Sequence, residues 1–394
     1  MTTESPFFLT KIECPICKTI NEFETIKVGA YTERDRDTDF CPTDRIWRNS
    51  RYQAYNPLLF FTATCAHCFY TREFTAGFKE WKEDAYFKTY RLKSVKQKHL
   101  NLLAEADSII RTIGEVLDSN RYPNETAILK LLLAIIDESL NDRRIDLDLG
   151  RFYLRIGWIF RDMNRGDNPG TAAVRNFVSG IQKQLETVRE TLENLRLHTT
   201  ELEAATSAQL NDANQSADMQ SQLYPIKEKY DVELEGLRQL YDDIAERLES
   251  LRDVAREHQQ TSLGVTDNGA SPGFANHPSF RHFLSQLSSQ WDGIPLDEKE
   301  ALTWAVKYYV AAYKEGRDIG HGNQQIQASY LIAELSRRIN DYDQAKEYFN
   351  NTIRTGQEFI YKHRRDQSRT ALARKILELA IEQGRLNMTE AATV

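Results

Sequence analysis

The chain has 394 residues, enough for two or three domains of ordinary size, and its 41% hydrophobic and 28% charged content excludes a disordered or fibrous protein. Eighteen glycines and 10 prolines are too few for an all-β fold with many turns. The net charge of −7 is local: residues 171–260 carry 10 basic and 17 acidic side chains, while the rest of the chain carries 41 of each, a balance that argues against duplex-DNA binding.

No apolar run approaches the roughly 20 residues of a membrane-spanning helix, so no membrane insertion is expected. The first residues lack the basic and apolar parts of a signal peptide, so the expected location is the cytoplasm. All five cysteines lie between Cys14 and Cys68. A reducing compartment favours thiolates on a metal over disulfides in so large a chain.

The first element in chain order is a cysteine module over residues 1–80, read as zinc-ribbon-like and β-rich. Cys14-Pro-Ile-Cys17 and Cys65-Ala-His-Cys68 are paired knuckles, each a tight turn presenting two sulfurs that complete a tetrahedron with the other pair. The expected ligand set is therefore Cys14, Cys17, Cys65 and Cys68 around a structural Zn2+. The alternatives are buried free thiols and a redox dithiol pair. Asn21 to Val28 and Pro57 to Thr64 read as strands leading from and into the knuckles.

Two residues stand beside this set as additional candidates. His67, inside the second knuckle, is expected to point outward, exposed or hydrogen-bonded rather than ligating. Cys41 is either a small buried apolar side chain or a further ligand. Between the knuckles, Asp35, Asp37 and Asp39 could line one face of an extended segment and bind a cation or act as acid and base. Arg34 and Arg36 interleave with them, so local ion pairing and turn capping account for the segment without catalysis. No nucleophile and base are visibly paired and no Gly-rich phosphate loop occurs, so the chain reads as a non-enzyme.

These residues carry a resemblance. A first Cys-Pro-x-Cys, the central Arg36-Asp37-Thr38-Asp39-Phe40, Asn56-Pro57-Leu58, and the second knuckle followed by the aromatics Phe69 and Tyr70 resemble the bacterial family catalogued as domain of unknown function 2225. The likeness covers about residues 7–74 well and the remainder by general character. It implies a cysteine module joined to tetratricopeptide-like helices, with no established activity. Phe69 stands where the family commonly carries Gly, a departure that bears on the turn geometry.

From Trp81 the spacing of apolar residues becomes helical. Residues 81–170 are read as the first part of a helical body, with Leu100, Leu103, Ala106, Ile110, Ile113 and Leu117 on one helix face, then helices over 124–141 and 147–163. The second part, 280–385, has helices over 297–315, 324–338, 343–361 and 369–383, followed by a tail at 386–394. A shift of 177 residues superposes Thr126 on Thr303, Lys130 on Lys307, Ala134 on Ala311, Glu138 on Glu315, Tyr153 on Tyr330, Leu154 on Leu331 and Arg161 on Arg338. Short polar joins and this internal likeness point to a tetratricopeptide-like array.

The two parts are separated by residues 171–260, where Val174, Ile181, Val188, Leu195 and Leu202 recur every seventh position with Val178, Leu185 and Leu192 four after the first three. Tyr230, Leu234, Leu237, Tyr241, Ile244, Leu248, Leu251 and Ala255 repeat the pattern, so an antiparallel coiled-coil hairpin or a homodimer seam is expected. Residues 261–279 read as a flexible linker.

The fold class expected is thus mainly α: a small β-rich module and a tetratricopeptide-like body interrupted by a coiled coil. The matching function is a non-enzymatic scaffold or adaptor for protein partners. The competing reading is nucleic-acid binding through the ribbon and the helix at 88–98, where Lys88, Arg91, Lys93, Lys96 and Lys98 cluster beside Tyr86 and Tyr90. Residues 1–100 carry only 16 basic against 13 acidic side chains, so a solvated helix face is the simpler account.

Overall fold

The computed structural model describes residues 5–49, 52, 55–164 and 274–392, with single residues between 189 and 242. The chain divides into two compact units, one made of residues 1–165 with 271–394 and the other of residues 166–270. In the second unit the described single residues are helical, with Arg189 and Glu193 3.8 Å apart across one turn. Apart from Tyr241, which is helical and half-buried, the heptad positions expected at 174–255 lie outside the described residues.

The first unit is mainly α, with small antiparallel hairpins near its N-terminus. β1 (Phe7–Glu13) pairs with β2 (Ile20–Ile26) from Phe7 opposite Ile26 to Glu13 opposite Ile20. β3 (Tyr31–Glu33) pairs with β4 (Arg45–Trp47), and β5 (Thr62–Thr64) with β6 (Thr71–Glu73). Each cysteine knuckle is therefore the turn of a hairpin, the first between β1 and β2 and the second between β5 and β6. The strand expected over Pro57 to Thr64 is corrected in its first half, because Pro57–Phe60 is a 3-10 turn. Asn56 starts that turn by accepting the N–H of Leu58, and Pro57 fits its first position, where the missing N–H costs nothing.

The helices follow in order: α1 (Ala76–Lys79), a π-helical turn (Phe87–Leu92), α2 (Lys93–Ala104), α3 (Ile109–Gly114), α4 (Pro123–Ser139) and α5 (Asp146–Asn164). The C-terminal part supplies α6 (Phe280–Ser288), α7 (Glu298–Glu315), α8 (Asn323–Arg338), α9 (Tyr342–Lys362) and α10 (Gln367–Ala391). One continuous helix from Leu100 to Leu117 does not form. Glu105 turns extended after α2, and the Ser108 side chain accepts the N–H of Arg111 to start α3. The tail expected at 386–394 is also corrected, since α10 runs to Ala391 and buried Asn387 donates to the Tyr342 carbonyl at 3.0 Å. Within the expected linker, Phe274 is buried against Tyr122, Phe280 and Phe283 with ring centroids 4.9, 5.0 and 5.3 Å away, so the chain is already part of the core there.

α4 is buried almost all round, its run from Ala127 to Ile136 lying at the centre of the main core. α5 packs along α7 because Gly150 and Gly157 leave room for it. A Cβ on Gly157 would stand 2.8 Å from Leu302 Cδ2, and one on Gly150 3.0 Å from Tyr309 Cδ2. A second, smaller core joins Cys14, Cys65 and Cys68 to Ile12, Ile16, Tyr70, Phe78, Trp81, Phe87 and Val95. The module and the first helices thus share one apolar interior.

Candidate metal centre

The two knuckles have matching backbones. The N–H of Cys14 donates to the Thr19 carbonyl and that of Cys65 to the Tyr70 carbonyl, both at 2.9 Å. Lys18 N–H closes the first turn on the Cys14 carbonyl at 3.1 Å, and Phe69 N–H closes the second on the Cys65 carbonyl at 2.9 Å. To close these turns, Lys18 and Phe69 adopt left-handed backbone with φ of 68° and 62°.

This geometry gathers the four sulfurs of Cys14, Cys17, Cys65 and Cys68 within 4.8 Å of one another. Cys14 and Cys68 Sγ are 3.7 Å apart and Cys17 and Cys65 Sγ 3.6 Å, far beyond a disulfide bond. A tetrahedron of metal–sulfur bonds of about 2.3 Å has sulfur edges of about 3.8 Å, so the set fits one metal ion. Electrostatics favour the same occupant, because four thiolates this close require a cation. Contacts from Cys14 and Cys68, then the backbone N–H groups of Cys68 and His67, hold the pKa of Cys65 below the usual thiol range. Cys14 is pushed up to about 12, chiefly by its bond to Cys65, and Cys68 is raised, first by Cys14.

Polar groups around the sulfurs fix the knuckles in place. Asn21 reaches Cys65 Sγ with its Nδ2 at 3.4 Å and accepts the Ala66 N–H on its Oδ1 at 2.9 Å. Fully buried His99, from α2, places Nε2 2.9 Å from the Cys68 carbonyl and Nδ1 2.6 Å from Oδ1 of Asp137 on α4. The other Asp137 oxygen accepts the Thr71 N–H at 2.7 Å. Both imidazole nitrogens face acceptors, which the doubly protonated ring satisfies. Burial opposes that charge, but Asp137 outweighs burial and His99 is raised in pKa. A chain of polar contacts therefore runs from the second knuckle through α2 to the centre of α4.

The other residues singled out in the sequence lie elsewhere. His67 is exposed, with its backbone N–H directed at Cys65 Sγ at 3.4 Å. Cys41 is fully buried away from the cluster, 3.6 Å from the Pro42 carbonyl, and burial pushes its thiol up to about 12. Asp35 is exposed, whereas Asp37 and Asp39 dock onto the helical body. Local pairing within the segment, the simple expectation, is corrected here: the arginine partners come from α5 and α8. Arg161 donates to Asp37 Oδ2 at 3.0 Å and to Asp39 Oδ2 at 2.7 Å, and Arg338 donates to Asp37 Oδ1 at 2.8 Å. Trp158 Nε1 donates to Asp39 at 3.1 Å, and Thr38 Oγ1 donates to Glu334 at 2.6 Å. Burial works against ionising Asp37, yet Arg338 and Arg161 prevail and lower its pKa. Arg161 and Arg338, equivalent under the 177-residue shift, thus hold the same loop.

On the basic helix, Arg91 is buried and paired with Glu138, while Lys88, Lys93 and Lys98 are exposed and Lys96 half-buried. Tyr86 and Tyr90 are exposed with ring centroids 5.3 Å apart. Asn21, His99 and Asp137 carried no sequence signal, since no spacing ties a lone histidine in one helix to an aspartate in another.

Residues 7–261 and 295–373 match the model of a family described as "Uncharacterized protein conserved in bacteria (DUF2225)". The chain belongs to this family. Membership in DUF2225 spans both the cysteine module and most of the helical body. No curated protein and no solved structure matches the chain. Among the described residues no helix is long and apolar enough to cross a membrane.

Proposed function

We propose that this DUF2225 protein is a non-enzymatic scaffold, with a structural Zn2+ in its N-terminal module and a helical body that receives protein partners. The observation that carries the reading is the four-sulfur cluster joined to α4 through His99 and Asp137. Four protein thiolates fill a tetrahedral shell and leave no position for a substrate, the pattern of structural rather than catalytic zinc. Zinc is favoured over harder ions because all four donors are soft sulfur.

The succession of α7, α8, α9 and α10 across short joins supports this reading, because stacked helices of that kind recognise peptides or helices in other proteins. Of Asp35, Asp37 and Asp39, the carboxylates considered for catalysis, Asp37 and Asp39 are engaged by Arg161 and Arg338, and Asp35 is exposed. For nucleic-acid binding, Arg91 is already occupied by Glu138, which takes one cation out of the expected phosphate track.

The test is elemental analysis of the chain purified without added metal, together with affinity capture from its native cell. The expected result is one zinc per chain, lost in Cys14→Ser, and specific protein partners that persist after nuclease treatment. Salt-sensitive retention on RNA, abolished by neutralising Lys88, Lys93 and Lys98, would replace the scaffold reading by the nucleic-acid one.

A further inference from the structure

A cavity of about 320 Å³ lies between α5, α7 and α8, closed on one side by Asp39 and Phe40 of the docked loop. Its polar lining centres on Arg155. This guanidinium donates from one terminal nitrogen to the Arg151 carbonyl at 2.9 Å and stacks 4.1 Å above the Phe61 ring. Its Nε is buried without a hydrogen-bond partner, and Arg155 forms no ion pair among the described residues. Burial, and then the charge of Arg151, lower its pKa, so the cation is held against its own electrostatic preference. A half-buried cation with a buried, idle Nε and no ion pair is costly unless something completes it.

The other charged groups of the cavity are engaged or in competition. Arg151 is held by Glu73 and Asp148, both at 3.1 Å, and Asp39 by Arg161. Asp318, raised in pKa mainly by burial, is the one competing carboxylate. Gln327 lines the cavity, and its side-chain amide makes no hydrogen bond among the described residues. Gln324 spends its Oε1 on the Gly320 N–H at 3.1 Å and keeps its amide donors. Trp158 and Tyr309 add flat walls. Arg155, Phe40 and Trp158 also line a second cavity, of about 420 Å³.

We propose that this cavity binds a small organic oxyanion, a carboxylate or a phosphate, whose anionic group is received by Arg155 with the amide of Gln327. The guanidinium fork matches either oxyanion, and the aromatic and aliphatic walls accommodate an attached apolar body. The site is independent of the cysteine cluster and of the scaffold reading.

The test is calorimetric titration of the full-length, metal-loaded protein with sodium benzoate and, separately, inorganic phosphate, at constant ionic strength set with chloride. The expected result is saturable one-site binding of at least one probe, with affinity at least tenfold weaker in Arg155→Gln and partly retained in Arg155→Lys. Binding of benzoate alone assigns a carboxylate ligand, and binding of phosphate alone a phosphorylated one. If Arg155→Gln melts well below the wild type, Gln327→Glu decides instead: its added negative charge at a half-buried position should abolish binding of the same probe. Absence of saturable binding of both probes, or an unchanged affinity in the variant that folds, would overturn the proposal.

Discussion

Phe69 shows how one residue can hold a cysteine knuckle at a cost. The turn needs left-handed backbone at the position after the second knuckle, and a non-glycine residue there loses about 1 kcal/mol or more. The ring offsets this by packing on Gly114, so closely that a Cβ on that glycine would lie 2.1 Å from Phe69 Cγ. Gly114→Ala is therefore expected to destabilise the protein by about 1–3 kcal/mol through overpacking, measured by chemical denaturation. In Phe69→Gly the same alanine should cost far less, and an equal cost in both backgrounds would refute the pairing. The departure from the family's glycine was visible in the sequence. Its compensation was not, because Gly114 sits 45 positions further on, in a helix whose start depends on the Ser108 cap.

Glu138 carries a pH dependence at the same scale. Burial raises its pKa from 4.5 to about 7 despite Arg91. The folded chain holds this proton more tightly than the unfolded chain. Its contribution is therefore full below pH 4.5 and is lost as pH rises through about 7. Unfolding free energies between pH 5 and pH 7 should fall with rising pH more steeply in the wild type than in Glu138→Gln, by up to about 1.4 kcal/mol per pH unit. Parallel profiles would remove Glu138 as the cause.

At the scale of elements, the loop between the knuckles is fastened to two helices from the two parts of the body. Asp39 is fully buried and depends on Arg161 for its countercharge. Arg161→Met should lower stability by about 3–5 kcal/mol, because the carboxylate stays behind unpaired. Adding Asp39→Asn should recover part of that loss, as followed by urea denaturation, and no recovery would mean that Arg161 acts through packing or through its other partners, Asp37 and Glu298, rather than through Asp39. The knuckles and the later helices were legible because short-range spacing encodes them. The 3-10 turn at Pro57, the break at Glu105 and the reach of Arg161 and Arg338 to Asp37 were not. A side-chain cap or a partner over a hundred residues away decides each of these, and periodicity does not register either.

For the whole molecule, the cysteine cluster is best understood as a fastening rather than a separate domain. A module that folded on its own around its metal would unfold on loss of Cys14 or Cys65 and spare the helices. The structure joins Cys14, Cys65 and Cys68 to Phe78, Trp81, Phe87 and Val95 in one core and links Cys68 to α4 through His99 and Asp137. Loss of the proposed metal would leave four crowded sulfurs that must take up protons and move apart, and that disturbance would reach α2 and α4 directly. Hydrogen exchange read by mass spectrometry, on the protein with its metal and after stoichiometric chelation, tests this most directly. Protection should fall in 7–26 and 62–73 and also across α2 and the C-terminal half of α4, around His99 and Asp137. Loss confined to the cysteine hairpins, with α2 and α4 as protected as before, would contradict the account.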